Sequence, residues 1–499
     1  MKNSFLLLAL ILLLGTTAAA QPSQNWRRQL PPPTYYRPAP NHQVPGFRPQ
    51  SPPIQRPPNY RLPPQQWNGP RPNAQPNHFQ PKQPNTAPGS IRRVLPDGRV
   101  AIITPFTETQ KREIRLREAE RLRLRKIRLR EMAEQGENKS LYPRLPGEFE
   151  NQDAILISVS DWQPHHFNVL LELIEKARGH AGLLVLYNDK NLYDGKPQLR
   201  ELVKLLSRSG KKYPHLRFLK QDLDTVWLRD FGPFLAETKD GGAMAMDFFY
   251  ETIRKRDDDL PKSWASLTGA SHNLVPWSVQ GGNLLSNGRG LSITTTRLFE
   301  ENRIRRPGKT TLQDEAYVKH HFMKFCNIKE LLVLKPLEQE ATRHVDMFAS
   351  FLAPDLVVVA KVDPRSDPAN ARILDENARL LGRATVDGRP LRVERIWIPP
   401  RRVQHWSSYT NTILTNRFVL IPTYQSDPSR YVQQAIRTYK RLLPKHHVAT
   451  VDMTSMEKLG GSLHCLSCSL PRYGKLPKGM LTFEEAAAKA GQLPTRVKN

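Results

Sequence analysis

Ala154-Ile-Leu-Ile-Ser-Val159 and Leu183-Leu-Val-Leu-Tyr187 are two short apolar runs, and His166–Arg178 between them is amphipathic. Runs of five or six residues with this composition read as buried strands. The segment between them repeats its apolar residues every three to four positions, as a helix does. The same alternation continues outward. Further strands are expected at 216–219, 243–249, 291–295, 331–334, 356–361, 393–398, 418–422 and 448–452, and further helices at 197–208, 312–325, 367–381 and 430–443. This order is that of an α/β domain. No Gly-rich phosphate loop follows any of these strands, so a dinucleotide or nucleotide site is not expected.

The alternation occupies residues 141–473, and what flanks it differs in kind. Residues 1–20 read as a secretory signal: Lys2, an apolar run from Phe5 to Leu14, then the small residues Ala18-Ala-Ala20. Export to an extracellular or periplasmic space is the expectation. Residues 21–105 form a proline-rich arm, with 20 of the chain's 44 prolines between Pro22 and Pro88. Proline fixes φ and removes a donor, so neither helix nor sheet propagates there and the arm is read as disordered. Residues 106–137 contain a basic helix. From Lys111 to Arg130 there are ten basic residues and three glutamates, in a background of strong helix formers. Its apolar positions spread around the helix, so it is expected to stay exposed, as a solvated connector or as a contact for an anionic surface. Residues 474–499 read as a tail.

The chain has 499 residues, a net charge of +28, 38% hydrophobic residues and three cysteines. Three cysteines cannot staple a protein of this size. The single long apolar run is too short to cross a bilayer, so no transmembrane segment is expected. Half of the charge excess lies before Leu141, with 22 basic and eight acidic residues between Gln21 and Ser140. The charge therefore describes appendages more than chemistry, and no specific nucleic-acid partner is implied.

Four motifs place polar residues where packing does not ask for them. In Thr225-Val-Trp-Leu-Arg-Asp-Phe-Gly-Pro-Phe234 a strand is expected to run into Arg229-Asp230 and stop at Gly232-Pro233, leaving a carboxylate at a strand end. Alternatively Arg229 and Asp230 simply cap the turn. In Arg343-His-Val-Asp-Met-Phe348 an extended backbone would turn His344 and Asp346 to one side, as an acid/base and its charge partner or as a structural pair. Gly281-Gly-Asn283 permits close backbone approach, to a ligand or to a neighbouring strand. In Gly460-Gly-Ser-Leu-His-Cys-Leu-Ser-Cys468, Cys465 is a candidate nucleophile. Cys465 and Cys468 are alternatively a C-x-x-C redox or metal pair, or a disulfide.

Together with Glu148-Phe-Glu-Asn-Gln-Asp153, these motifs resemble, in order, those of the bacterial-type peptidyl-arginine deiminase and agmatine deiminase family. The resemblance implies a pentein fold, a five-bladed propeller of ββαβ units. It implies that Asp230 and Asp346 grip a guanidinium, that Cys465 attacks its central carbon, and that His344 protonates the departing ammonia and then activates water. Trp227, Arg229, Gly281, Gly282 and Asn283 would help bind substrate, and no cofactor or metal would be needed. Two residues depart from the family pattern. Gln280 stands where a glutamate is common before G-G-N, and Ser462 where a third glycine is common. Given the export signal, arginine residues in peptides or proteins are the first expected substrate and agmatine the second. An inactive deiminase-like protein that binds a surface is a third reading.

Overall fold

The structure is a computed structural model that describes residues 91–94, 100–103, 107–134, 143–160, 166–190, 195, 197–402 and 405–492. The signal segment, most of the proline-rich arm and the last seven residues lie outside them. Residues 34–112 form one unit. Among its described residues is an antiparallel strand pair, Ile91–Val94 with Val100–Ile103, inside the span expected to carry no sheet. Between Pro88 and Pro105 there is one proline, Pro96, so this short stretch keeps enough backbone donors to pair.

From residue 113 the chain builds five small sheets on one repeating plan. A short strand pairs antiparallel with a central strand. A helix then crosses back, and a third strand joins the central one in parallel. The second sheet is Phe234–Glu237, Ala243–Phe249 and Ser271–Ser278, crossed by helix Leu260–Thr268. The third is Leu285–Ser286, Leu291–Thr295 and Glu330–Leu334, with helix Thr311–Cys326. The fourth is Ala349–Ala353, Leu356–Lys361 and Arg392–Trp397, with helix Pro368–Leu381. The fifth is Ile413–Thr415, Phe418–Thr423 and His447–Asp452, with helix Ser429–Leu442. The first sheet joins Gln152–Ser158, Gly182–Tyr187 and Leu216–Lys220 in parallel, and takes its antiparallel strand, Ser467–Pro471, from near the end of the chain.

All ten expected strands and five expected helices form, with bounds shifted by a residue or two. The central strands are buried along nearly their whole length, as at Leu356-Val-Val-Val-Ala360, where no residue is more than 3% exposed. Each such side chain contributes about 1.5–3 kcal/mol of transfer free energy. The expected tail holds helix Phe483–Gln492. Its Ala486 and Ala490 are buried in the core that also contains Tyr213 and Phe218, and Leu481 pairs with Phe218.

The basic helix, Glu108–Glu134, departs furthest from expectation. It does not stand free. From Glu113 onward it belongs with the sheet domain and docks through one stripe of arginines at Arg117, Arg121, Arg125 and Arg128. Arg117 Nη1 donates to Thr252 O at 2.6 Å, Arg125 Nε to Pro276 O at 2.8 Å, and Arg128 Nε to Leu274 O at 3.2 Å. Arg121 pairs with Asp258 at 2.9 Å. The guanidinium groups of Arg121, Arg125 and Arg128 also lie over the rings of Phe249, Trp277 and Phe325. Leu274 and Pro276 belong to the outer strand of the second sheet, whose open carbonyls need donors. Arginine suits this task, because its apolar stem packs while its planar fork donates.

Candidate functional site

Asp230, His344, Asp346 and Cys465 converge from three segments between the strands, His344 and Asp346 sharing one. Asp230 does not end a strand. It sits in a one-turn helix, Leu228–Phe231, that Gly232 closes, and a Cβ on Gly232 would lie 2.6 Å from Cys468 Sγ. His344 is extended, but Asp346 lies in a 3₁₀ turn, Val345–Met347, so their convergence does not come from strand alternation. It comes from Gly281–Asn283, also a 3₁₀ turn, laid directly against them. A Cβ on Gly282 would lie 2.7 Å from His344 Nδ1 and 2.9 Å from Asp346 Oδ2. Asn283 fastens the two turns, its Oδ1 accepting from the backbone N–H of Val345 and of Thr295, both at 3.2 Å.

Cys465 lies in the turn His464–Leu466, and Asn411 holds that turn. Asn411 Oδ1 accepts from the His464 N–H at 2.8 Å and the Cys465 N–H at 3.3 Å, and its Nδ2 lies 3.4 Å from Cys465 Sγ. Cys465 Sγ is 3.8 Å from Asp346 Oδ2. Cys465 and Cys468 are both free thiols, and Cys468 points away to Leu228 O.

Behind Asp346 runs a chain of charged partners. His464 Nδ1 meets Asp346 Oδ2 at 2.8 Å, His464 Nε2 meets Glu148 Oε2 at 2.7 Å, and Glu148 is ion-paired to Arg229. Burial alone would raise the Glu148 carboxyl, but Arg229 and His464 hold it down at about 2. Burial and Arg229 push His464 down, yet Glu148 and Asp346 outweigh them and its pKa ends raised. Arg229 is therefore committed to Glu148, behind Asp346. Trp227 is packed as scaffold, with its ring against the backbone of Gly461 in the loop leading to Cys465.

The reacting cluster itself is starved of partners. Asp230 Oδ1, Asp346 Oδ1 and both His344 ring nitrogens are buried and have no hydrogen-bond partner in the protein, and neither does Asn283 Nδ2. Buried polar atoms are nearly always paired, so this concentration marks a place built for a polar guest. Burial and the neighbouring Asp346 push Asp230 up to about 8. Burial pushes His344 down to about 4, leaving it neutral at pH 7. Burial, then Asp346 and Asp230, raise the Cys465 thiol well above its ordinary value. Arg229 and His464 act on the cluster only from behind Asp346, and among the described residues no cation is paired directly with the Cys465 thiol.

Glu148, His464 and Asn411 carry no role in the sequence reading. Glu148 and His464 lie inside quoted motifs, and their part becomes visible only when Asp346 is seen between them. Nothing in the sequence around Asn411 marks it.

This fold, with a cysteine, a histidine and two carboxylates at one end of five small sheets, defines a class of guanidino-modifying deiminases. Residues 144–471 match the family model for Porphyromonas-type peptidyl-arginine deiminase, and the chain belongs to that family. Its relatives are hydrolases of guanidino C–N bonds. Among similar curated proteins is the agmatine deiminase of Stutzerimonas stutzeri, 24% identical over 302 residues that cover 54% of this chain and 80% of that one. The solved agmatine deiminase of Enterococcus faecalis is 18% identical with a TM-score of 0.55, covering 67% of this chain and 97% of that one. The C. jejuni agmatine deiminase is 17% identical with a TM-score of 0.53, covering 66% and 96%.

Proposed function

We propose that the protein hydrolyses the guanidinium of a small substrate, agmatine first among candidates, to a ureido group with release of ammonia. The observation that carries this reading is the pair of buried carboxylates, Asp230 and Asp346, with unpartnered oxygens beside a neutral histidine and a thiol. A guanidinium is planar and cationic, and its N–H groups fit carboxylates. Seated between the two carboxylates, it offsets the negative charge that holds the Cys465 thiol protonated, so the substrate itself lowers the barrier to forming thiolate. Sγ then bonds to the guanidinium carbon. The thiol proton passes through His344 to the departing nitrogen, which leaves as ammonia. His344 next takes a proton from water. The oxygen bonds to the same carbon, the C–S bond breaks, and the ureido product leaves with the thiol restored.

Agmatine is placed ahead of arginine peptides, reversing the order that the export signal suggested. Cys465, His344 and Asp346 are each at most 3% exposed, which suits a small molecule better than a chain. The similar proteins named above are also agmatine deiminases. We also infer that the five ββαβ sheets are the blades of a propeller around this site, because the last strand of the chain completes the first sheet. Ureido product measured with agmatine, free arginine and an arginine peptide tests the substrate reading. Agmatine is expected to give a kcat/KM at least about 100-fold above the peptide. A better peptide would overturn agmatine, and no product from any of the three would overturn the enzyme reading.

The pH dependence follows from Asp230. Its carboxyl, pushed up to about 8, is mostly protonated at pH 7 in the free site. A bound cation favours the ionised form, so binding below that pH must release a proton. KM is expected to fall by about tenfold per pH unit from 6 towards 8 and to level off above. Calorimetric titration in buffers of different ionisation enthalpy reads the proton released. A KM that stays flat over that range, with no proton release, would remove Asp230 from the guanidinium.

A further inference from the structure

The basic helix begins before residue 144, where the family match starts, so it is an addition to the family's catalytic unit. It also lines a cavity. A space of about 500 Å³ lies between the helix residues Glu118, Arg121, Leu122 and Arg125 and an opposite wall that includes Tyr250, Glu251, Gln280, Arg297 and Glu301. That opposite wall leads to the reacting cluster. Gln280 directly precedes Gly281-Gly282, and Gly282 touches His344 and Asp346. Arg297 bonds to the backbone of Thr342, two residues before His344. The ring of Tyr250 stacks at a tilt on Phe231, the neighbour of Asp230, with centroids 5.2 Å apart. Asp230 is also the most exposed of the four reacting groups, its side chain 14% accessible while His344 is at 1%. Arg297, Glu251 and Glu301 of that wall are also close enough to Asp230 to act on its charge.

We propose that the docked helix is the outer wall of the substrate entrance, and that Glu118 and Leu122 face the far end of the bound guanidino compound. This rests on the deiminase reading of the same site. The charges in the cavity support the assignment. Of its carboxylates, Glu301 is held through Oε1 by Arg297 at 2.6 Å, with Oε2 buried and unpartnered, and Glu251 by Arg254 at 3.1 Å. Gln280 carries no charge. Among the described residues Glu118 has no ion-pair partner, so it is a carboxylate free to receive a second cation at the far end of a substrate such as agmatine, against the repulsion of Arg303 on the same lining. The docking stripe keeps it there, because Arg117, Arg121 and Arg125 fix the rotation of the helix and place Glu118 and Leu122, one turn apart, on the cavity side. A helix that only covered a sheet edge would not care which residues occupy those two positions.

The test uses the full chain. Glu118→Lys and Leu122→Lys are expected to raise KM for agmatine about tenfold, with the change carried by KM and with little change in Tm. Lys126→Glu, at an exposed position of the same helix, should leave KM where it is. Equal KM values for all three variants and the parent would overturn the proposal. A second measurement does not depend on turnover. Arg121→Glu combined with Arg125→Glu removes two docking contacts, and alkylation of Cys465 by the small cation 2-chloroacetamidine should then speed up at least about fivefold. An unchanged labelling rate, with loss of the docked helix verified by proteolysis near Arg123, would overturn the wall. A parent protein inactive on every guanidine, yet labelled faster in the double variant, would sink the deiminase reading and keep the entrance.

Discussion

Cys465→Ala is expected to lower ureido product formation by about four orders of magnitude or more while leaving the protein folded and able to bind substrate. The thiol is the one group placed to bond with the guanidinium carbon, and alanine removes the covalent route altogether. Structure should survive, because Cys465 has few partners to lose: among the described polar groups its Sγ meets Asn411, Asp346 and the backbone of Ser462. Binding should survive as well, since Asp230 and Asp346 remain. Agmatine should therefore still raise the Tm of the variant, as any ligand that prefers the native state does. Cys468→Ala is the matched control. Its thiol faces Leu228 O beneath Gly232, and its loss should cost less than about tenfold. If Cys465→Ala kept measurable turnover and Cys468→Ala lost it, the nucleophile would be misassigned.

Gly282→Ala is expected to reduce kcat/KM by about 100- to 1,000-fold, although glycine itself touches no substrate atom in the reaction. The added methyl would sit 2.7 Å from His344 Nδ1 and 2.9 Å from Asp346 Oδ2, well inside van der Waals contact. Neither group can step aside freely. Asp346 is tied to His464, and the backbone that follows His344 is held through Val345 by Asn283. The overpacking should also cost about 1–3 kcal/mol of stability, read as a modest fall in Tm. Gly281→Ala makes the contrast. There the methyl would strike the Arg229 carbonyl at 2.2 Å and the Phe234 ring, so the main loss should be in folding. Wild-type turnover by Gly282→Ala would show that His344 and Asp346 are not the reacting pair.

The central strands were legible because burial on both faces demands continuous apolar runs, as at Ala154–Ser158 and Leu356–Ala360. Their antiparallel partners were not. Leu285–Ser286 has two residues and Ile413–Thr415 three, too few for any period to register. Ser271–Ser278 opens on three polar residues and contains Pro276, which suits an edge strand and hides it from an apolar scan. The arginine stripe of the basic helix was missed for a related reason. The docking face is written mostly in Arg117, Arg121, Arg125 and Arg128, with Leu129 and Met132 packed beside the core, too few apolar residues for a period to register. At the site, Asp230, His344, Asp346 and Cys465 were found through motifs in order. The support behind them was not, because Asp346 and His464 are 118 residues apart and His464 and Glu148 are 316 apart.

The strand that completes the first sheet begins at Ser467, two residues after Cys465. Its partner, Gln152–Ser158, leaves the ribosome more than three hundred residues earlier and must wait for it. The proposed nucleophile and the closing strand therefore arrive together, after the carboxylates and the histidine. A nascent chain that ends between Asp346 and Cys465 holds the carboxylates and the histidine but lacks the Cys465 thiol. Long-range pairing of this kind makes folding slow, and with Cys465 as the nucleophile it also makes it safe: catalysis is expected to start only once the closing strand is being made, and a chain cut short before Cys465 is expected to be inert whatever else of it has folded.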